Sequence, residues 1–158
     1  MKKILICFLA LCLWGCGSLD SKESKEFSVY NDVKNILMTN EVYDHSSSDF
    51  NIQVLFQKRD NDYRYDVVVN NPKITMKSIQ MLCYGGENDD QMCPSIGIFD
   101  SPMNLKKDFI NKDVGYFKGI QLSGTCDRIE PIRIYLCYLD EDNNKNIRYL
   151  EVNGREIR

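Results

Sequence analysis

The sequence predicts a mainly β fold: an antiparallel sandwich of about seven to eight strands preceded by one short N-terminal helix. Three observations carry this prediction. From Phe50 onward, apolar residues alternate with polar ones over short runs. Turn-forming residues separate the runs, and no strand–helix–strand alternation is present to build a parallel sheet. Seven Phe and nine Tyr residues also favour strands over helices.

The helix comes first. Phe27, Tyr30, Val33 and Leu37 recur at helical spacing, with Asn31, Asp32, Lys34 and Asn35 on other faces. This predicts a helix from about Ser24 to Met38, docked over 27–38, with Asp20 and Glu23 as a weak capping pattern. After Ser46-Ser47-Ser48 the period changes to two. Phe50, Ile52, Val54 and Phe56 alternate, Asp60-Asn61-Asp62 turns the chain, and Tyr63, Tyr65, Val67 and Val69 alternate again. Asn70-Asn71-Pro72 ends that strand, because proline removes a ladder donor. A third strand is expected over Met76–Tyr84, with Ile79, Met81 and Cys83 on one face. An acidic loop, Gly85–Gln91, follows. Ile96 and Ile98 mark a short strand, Tyr116–Ser123 a longer one, and Pro131–Leu139 with Ile147–Val152 a last hairpin around Asp140–Asn146. The sandwich therefore occupies about 50–152 within a single domain, 27–158.

The N-terminus carries a different signal. Lys2 and Lys3 precede eleven apolar residues, Ile4–Trp14, and Gly15-Cys16 follows. Eleven residues fall short of the roughly 20 that a membrane-spanning helix needs. The run Leu13-Trp14-Gly15-Cys16 resembles the signal of bacterial lipoproteins, with Trp14 departing from the usual small or aliphatic residue. The resemblance implies a signal peptide over 1–15, cleavage before Cys16 and acyl chains (palmitate among them) on Cys16. The mature chain would then hang from the bacterial cell membrane on its extracytoplasmic side, behind a flexible tether, 16–26. Two acyl chains make a stable anchor where one does not.

The stretch DYRYDVVVNNPKITMKSIQML resembles the immunoglobulin-like and fibronectin-like sandwiches of bacterial surface lipoproteins, in which an aromatic-rich strand runs into an Asn-Pro corner. The resemblance spans about 50–152 and speaks to fold alone. The buried tryptophan typical of such domains is missing, since Trp14 is the single tryptophan.

Charge excludes one partner class. Of 20 basic side chains, Lys2 and Lys3 lie in the leader, leaving 18 against 23 acidic ones, a formal charge of −5. Such a domain has no electrostatic footprint for nucleic acid, and no basic cluster for anionic lipid is evident in the sequence.

Motifs for chemistry are sparse, and no cofactor is implied. Beyond Cys16, four cysteines remain outside the leader: Cys83, Cys93, Cys126 and Cys137. In an exported protein, a hairpin centred near Asn88 would set Cys83 opposite Cys93 within disulfide range. Cys137 reads as a buried core thiol, too far up its strand to meet Cys126. His45 is the only histidine and reads as an exposed loop residue. Asp140, Asp142, Asn144, Asn146 and Glu151 match calcium-loop spacing, but Lys145 stands where the loop needs glycine. An acidic hairpin turn accounts for these residues without a metal. The expected function is a non-enzymatic binding module of the cell envelope. Its loops (Asp60, Asp62, Glu87, Asp89, Asp90, Asp140 and Asp142) would meet an envelope or extracellular protein or polymer. The alternatives are an envelope thiol enzyme, which would need a low-pKa cysteine, and a folding or assembly accessory.

Overall fold

The computed structural model describes residues 19–86 and 92–157. One helix, α1 (Leu19–Thr39), precedes the strands β1 (Asn51–Lys58), β2 (Tyr63–Asn70), β3 (Met76–Tyr84), β4 (Ser95–Ile96) and β5 (Met103–Leu105). A short 3-10 turn at Lys112–Val114 leads to β6 (Tyr116–Phe117), β7 (Gly119–Cys126), β8 (Ile132–Leu139), β9 (Lys145–Val152) and β10 (Arg155–Ile157). One sheet runs β10-β1-β2-β7. The other runs β6-β5-β3-β8-β9, with β4 added beside β3.

The expected β sandwich is present in outline, but the sheets are mixed. β10 lies parallel to β1, and β6 parallel to β5. Both exceptions arise where the chain re-enters a sheet at its edge. After β9 it crosses to the other sheet and lies down beside β1, and after β5 it loops back through 106–115 before β6.

Period-two alternation makes the two sheets face each other. Val54 and Phe56 of β1, Tyr65, Val67 and Val69 of β2, and Ile120 and Cys126 of β7 point inward. They meet Met81 and Cys83 of β3, Ile132, Ile134 and Leu136 of β8, and Leu150 of β9. Met76 joins the same face as Ile79, three residues on, because the register of β3 shifts there. Ser78 absorbs the shift at φ 52° and donates its N–H to Asn104 Oδ1 at 2.8 Å. A bulge with one extra residue does this and replaces the lost ladder partner.

The second sheet is covered on its other face as well. Tyr30, Val33 and Leu37 of α1 pack on Leu82, Tyr135 and Cys137, with Ile98 alongside. The two-sided burial matches the sequence of β8, Ile-Arg-Ile-Tyr-Leu-Cys-Tyr-Leu, which is apolar almost throughout. Phe27 is more exposed than its stripe suggests but stacks on Phe99 at 5.0 Å. The helix also begins earlier than expected. Residues 19–26, read as tether, are its first turns, and Asp20 lies inside it rather than at a cap. No helix among the described residues is long and apolar enough to cross a membrane.

Asp49 pins the far end of the sandwich. It accepts hydrogen bonds from Tyr138 Oη at 2.5 Å, Arg148 Nη2 at 3.0 Å and Ser48 Oγ at 2.9 Å. The Tyr138 bond, against the opposing effect of burial, holds the Asp49 carboxyl below its ordinary range, with Arg148 adding to it. A carboxylate with a depressed folded-state pKa stabilises the fold above its unfolded value of about 4, and that contribution is lost as pH falls through the folded value. Asp49→Asn is therefore expected to cost about 1–3 kcal/mol at neutral pH, with the gap to wild type closing in acid below about pH 4. Urea unfolding at neutral and acid pH checks this, and a gap independent of pH would contradict it.

Candidate functional site

One end of the sandwich is concave. There the start of β2, the end of β3, Gly85–Gly86, Met92–Pro94 and the end of β7 surround a cleft of about 380 Å³. The connection 127–130 forms its rim. Tyr65 lies in its floor, 2% exposed, with its hydroxyl 3.5 Å from the Cys83 carbonyl. The ring fits there only because two neighbours lack side chains. A Cβ on Gly124 would stand 2.4 Å from Tyr65 Cζ, and one on Gly85 would stand 2.5 Å from Cε1.

A second cleft, about 650 Å³, adjoins the first on the helix side and shares Gly86, Arg128 and Glu130 with it. Met38, Tyr84, Arg133 and Glu151 complete its walls. Arg133 is committed to structure. It pairs with Glu151 at 3.2 Å, reaches the Leu37 and Met38 carbonyls at the helix C-terminus (3.3 Å each), and lies over the Tyr43 ring. Cationic side chains suit the negative end of a helix. Arg128 differs: it pairs with Glu130 at 2.5 Å, and these side chains are 71% and 41% exposed. A surface pair of this kind contributes about 0–1 kcal/mol to stability. The pair costs the fold little to rearrange around a bound group.

The sequence-predicted residues divide between the two ends. Asp60 and Asp62 lie in the β1–β2 turn at the cleft end, since Tyr63 pairs with Cys126. Asp140 and Asp142 lie at the opposite end, where Leu139 pairs with Lys145. The acidic loops therefore form no single surface. Cys16, Glu87, Asp89 and Asp90 lie outside the described residues.

The calcium-loop spacing is not realised. The Asp140 carboxylate accepts from the N–H groups of Asp142 and Asn144 and from the side chains of Asn144 and Asn146, which closes a turn. Glu151, the twelfth position, is carried along β9 to the other end and pairs with Arg133. A strand advances about 3.3 Å per residue, so a ligand seven residues beyond Asn144 cannot return to Asp140.

The cysteine geometry also needs correction. All four described cysteines are free thiols. Met81 pairs with Ile96 and Leu82 with Ser95, and the Cys83 N–H donates to the Pro94 carbonyl at 3.0 Å. Cys83 thus faces Pro94 rather than Cys93. A one-residue slip sends alternate side chains to opposite faces. Cys83 packs between the sheets, whereas Cys93 packs on the helix side, where its N–H donates to Tyr30 Oη at 2.7 Å. Cys126 and Cys137 do not share a hairpin at all, because β7 and β8 belong to different sheets. Cys137 is buried, facing the helix.

The cleft brings Cys93 and Cys126 onto its walls, a placement that sequence spacing could not show. Burial, then the nearby Asp127 carboxylate, pushes the Cys126 thiol up to about 11. Burial likewise raises Cys83 well above the ordinary thiol range, and Tyr30 is pushed up to about 12. At neutral pH these two thiols are held protonated, the opposite of an activated nucleophile. His45 lines neither cleft; its Nδ1 lies 3.0 Å from the Glu151 carbonyl oxygen. The arrangement offers a concavity above the buried Tyr65 ring, with an exposed ion pair, Arg128–Glu130, on its rim. Comparison with known proteins finds no matching family model, no matching curated protein and no matching solved structure.

Proposed function

We propose that this chain is a lipid-anchored lipoprotein of the bacterial cell envelope whose domain, an immunoglobulin-like sandwich by this reading, is a non-enzymatic binding module. The observation that carries the binding role is the pair of adjoining clefts at one end, joined by the exposed Arg128–Glu130 pair. Concave sites with a few polar groups on a rigid scaffold are the usual form of a recognition site. The ligand class is an extracytoplasmic protein segment or polymer that presents both polar and apolar groups. The raised thiols of Cys83 and Cys126 support this reading over a thiol enzyme.

The anchor rests on Leu13–Cys16. Cys16→Ser is expected to abolish incorporation of a fatty-acid probe and to leave the protein uncleaved or shed. Equal labelling of wild type and variant would end the lipoprotein reading. For the binding role, wild-type protein recovered from intact envelopes should retain a partner that the charge-swapped variant Arg128→Glu/Glu130→Arg loses. Retention by both would remove the clefts from the proposal.

A further inference from the structure

The sequence shows no obvious basic cluster, yet the folded chain builds a basic and apolar surface between β5 and β7. Residues 106–118 hold four lysines (Lys106, Lys107, Lys112 and Lys118) against two aspartates, in a chain of formal charge −3. All four lysines are exposed. Among them, Phe109, Ile110 and Val114 are 41%, 54% and 57% exposed.

Scattered exposed apolar residues carry no message, but these three are held in place. Asn111 and Tyr116 exchange both backbone hydrogen bonds, at 3.0 and 2.8 Å. The Gly115 N–H closes the 3-10 turn on the Lys112 carbonyl, and the Asn104 N–H donates to the Gly115 carbonyl at 2.9 Å. The Phe109 ring meets Tyr116 edge-on at 5.6 Å, and Lys106 Nζ lies 5.4 Å from the Phe109 ring centre. Met103, Leu105 and Phe117 meanwhile pack into the core. The loop is thus tied down by its backbone while its apolar tip faces outward.

We infer that this loop rests on a bilayer surface bearing anionic headgroups. Phe109, Ile110 and Val114 enter the headgroup boundary, and the lysines meet the phosphates. Exposed apolar residues flanked by exposed lysines are the composition that interfacial binding requires. A second observation puts a contact of α1 and the loop on the same edge of the larger sheet. β4 and β5 both flank the edge of β3 that faces away from β8. Phe27 and Tyr30 of α1 meet Phe99 on that side, between β4 and β5. Cys16 precedes the first helical residue by three positions. The inference rests on the lipid-anchored reading: an anchor on the same chain raises the local concentration of the loop at the bilayer, so a weak contact suffices to orient the domain.

The test uses the acylated, processed chain with Phe109→Trp; Trp14 leaves with the signal peptide, so the one indole is at 109. Val114→Trp serves as the alternative reporter should Phe109→Trp fail to fold. Val42→Trp, at a position 78% exposed beyond the helix C-terminus, is the control. Each protein is reconstituted into vesicles of phosphatidylglycerol and phosphatidylcholine, or of phosphatidylcholine alone, with brominated acyl chains as quencher. The expected result is strong quenching at 109 or 114 on the anionic vesicles, little on the neutral ones and none at 42. Lys107→Glu with Lys112→Glu should lower the contact about tenfold or more, since each lysine near such a surface is worth about fivefold. Added salt should weaken it. Flotation with the vesicles reports the anchor separately. Flotation without quenching overturns the loop contact and leaves the anchor standing; loss of both overturns both readings. Equal quenching on neutral vesicles overturns the role of anionic headgroups. An unquenched tip in a dimer that Ile110→Glu dissociates assigns the surface to a second copy of the chain instead.

Discussion

Tyr65→Ala is expected to destabilise the domain by about 3–5 kcal/mol, the usual cost of deleting a fully buried aromatic side chain. Tyr65 spans the core beneath the larger sheet, with Phe56 edge-on at 6.4 Å and the cleft above it. Its hydroxyl contributes less than its ring. The contact with the Cys83 carbonyl is long at 3.5 Å, so Tyr65→Phe should cost about 0.5–1 kcal/mol. Gly124→Ala should cost about 1–3 kcal/mol, because the new Cβ meets a packed ring that has nowhere to go. The two sites share one space and must couple. In the Tyr65→Ala background, Gly124→Ala should lose most of its effect, an interaction energy of about 1–2 kcal/mol in a double-mutant cycle. Chemical denaturation of the four proteins measures it. Strict additivity would mean that Gly124 matters for some reason other than room for the ring.

Leu37→Ala should cost about 2–5 kcal/mol and should loosen the helix before the sheets. Leu37 is completely buried against Leu82, Tyr135 and Cys137. Its carbonyl also accepts from Tyr43 Oη at 2.7 Å and from Arg133, so the end of the helix and the second cleft share one set of contacts. Most helical stability in a folded protein comes from packing of one face rather than from propensity. Amide exchange over 25–39 should therefore rise in the variant while β2, β7 and β8 stay protected. Unchanged protection of the helix would contradict the docking.

The first two strands were legible because each carries period-two alternation bounded by turn formers, and β3 and the last hairpin because apolar-rich runs lie between turn formers. The helix stripe Tyr30, Val33 and Leu37 was legible for the same reason at the other period. The polarity of residues 19–26 suggests coil, yet Glu and Lys are good helix formers and the segment is helical. β5 and β10 span three residues each, too few for any period to register. The parallel pairs β1–β10 and β5–β6 depend on which edge the chain rejoins, a matter of topology that local pattern does not encode.

The cleft was illegible for a related reason. Tyr65, Gly124 and Cys126 become neighbours only through the pairing of β2 with β7, and Cys93 joins them from the other sheet. The Cys83–Cys93 pairing failed on one residue of register, which is enough to reverse a side chain's face. In the sequence two aspartates dilute the lysines of 106–118, and only the fold shows that all four are exposed on the loop that carries three exposed apolar side chains.

The central claim is that binding occurs at the cleft end and not at the Asp140–Asn146 turn of the opposite end. Photo-crosslinking in intact cells tests it most directly. A crosslinking residue is placed at Met92, an exposed residue of the first cleft, in one protein and at Asp142, on the opposite end, in another. The account predicts a discrete adduct from position 92, lost when Glu130→Arg alters the rim, and no adduct from position 142. An adduct from 142 alone would contradict the account and move the binding surface to the β8–β9 turn.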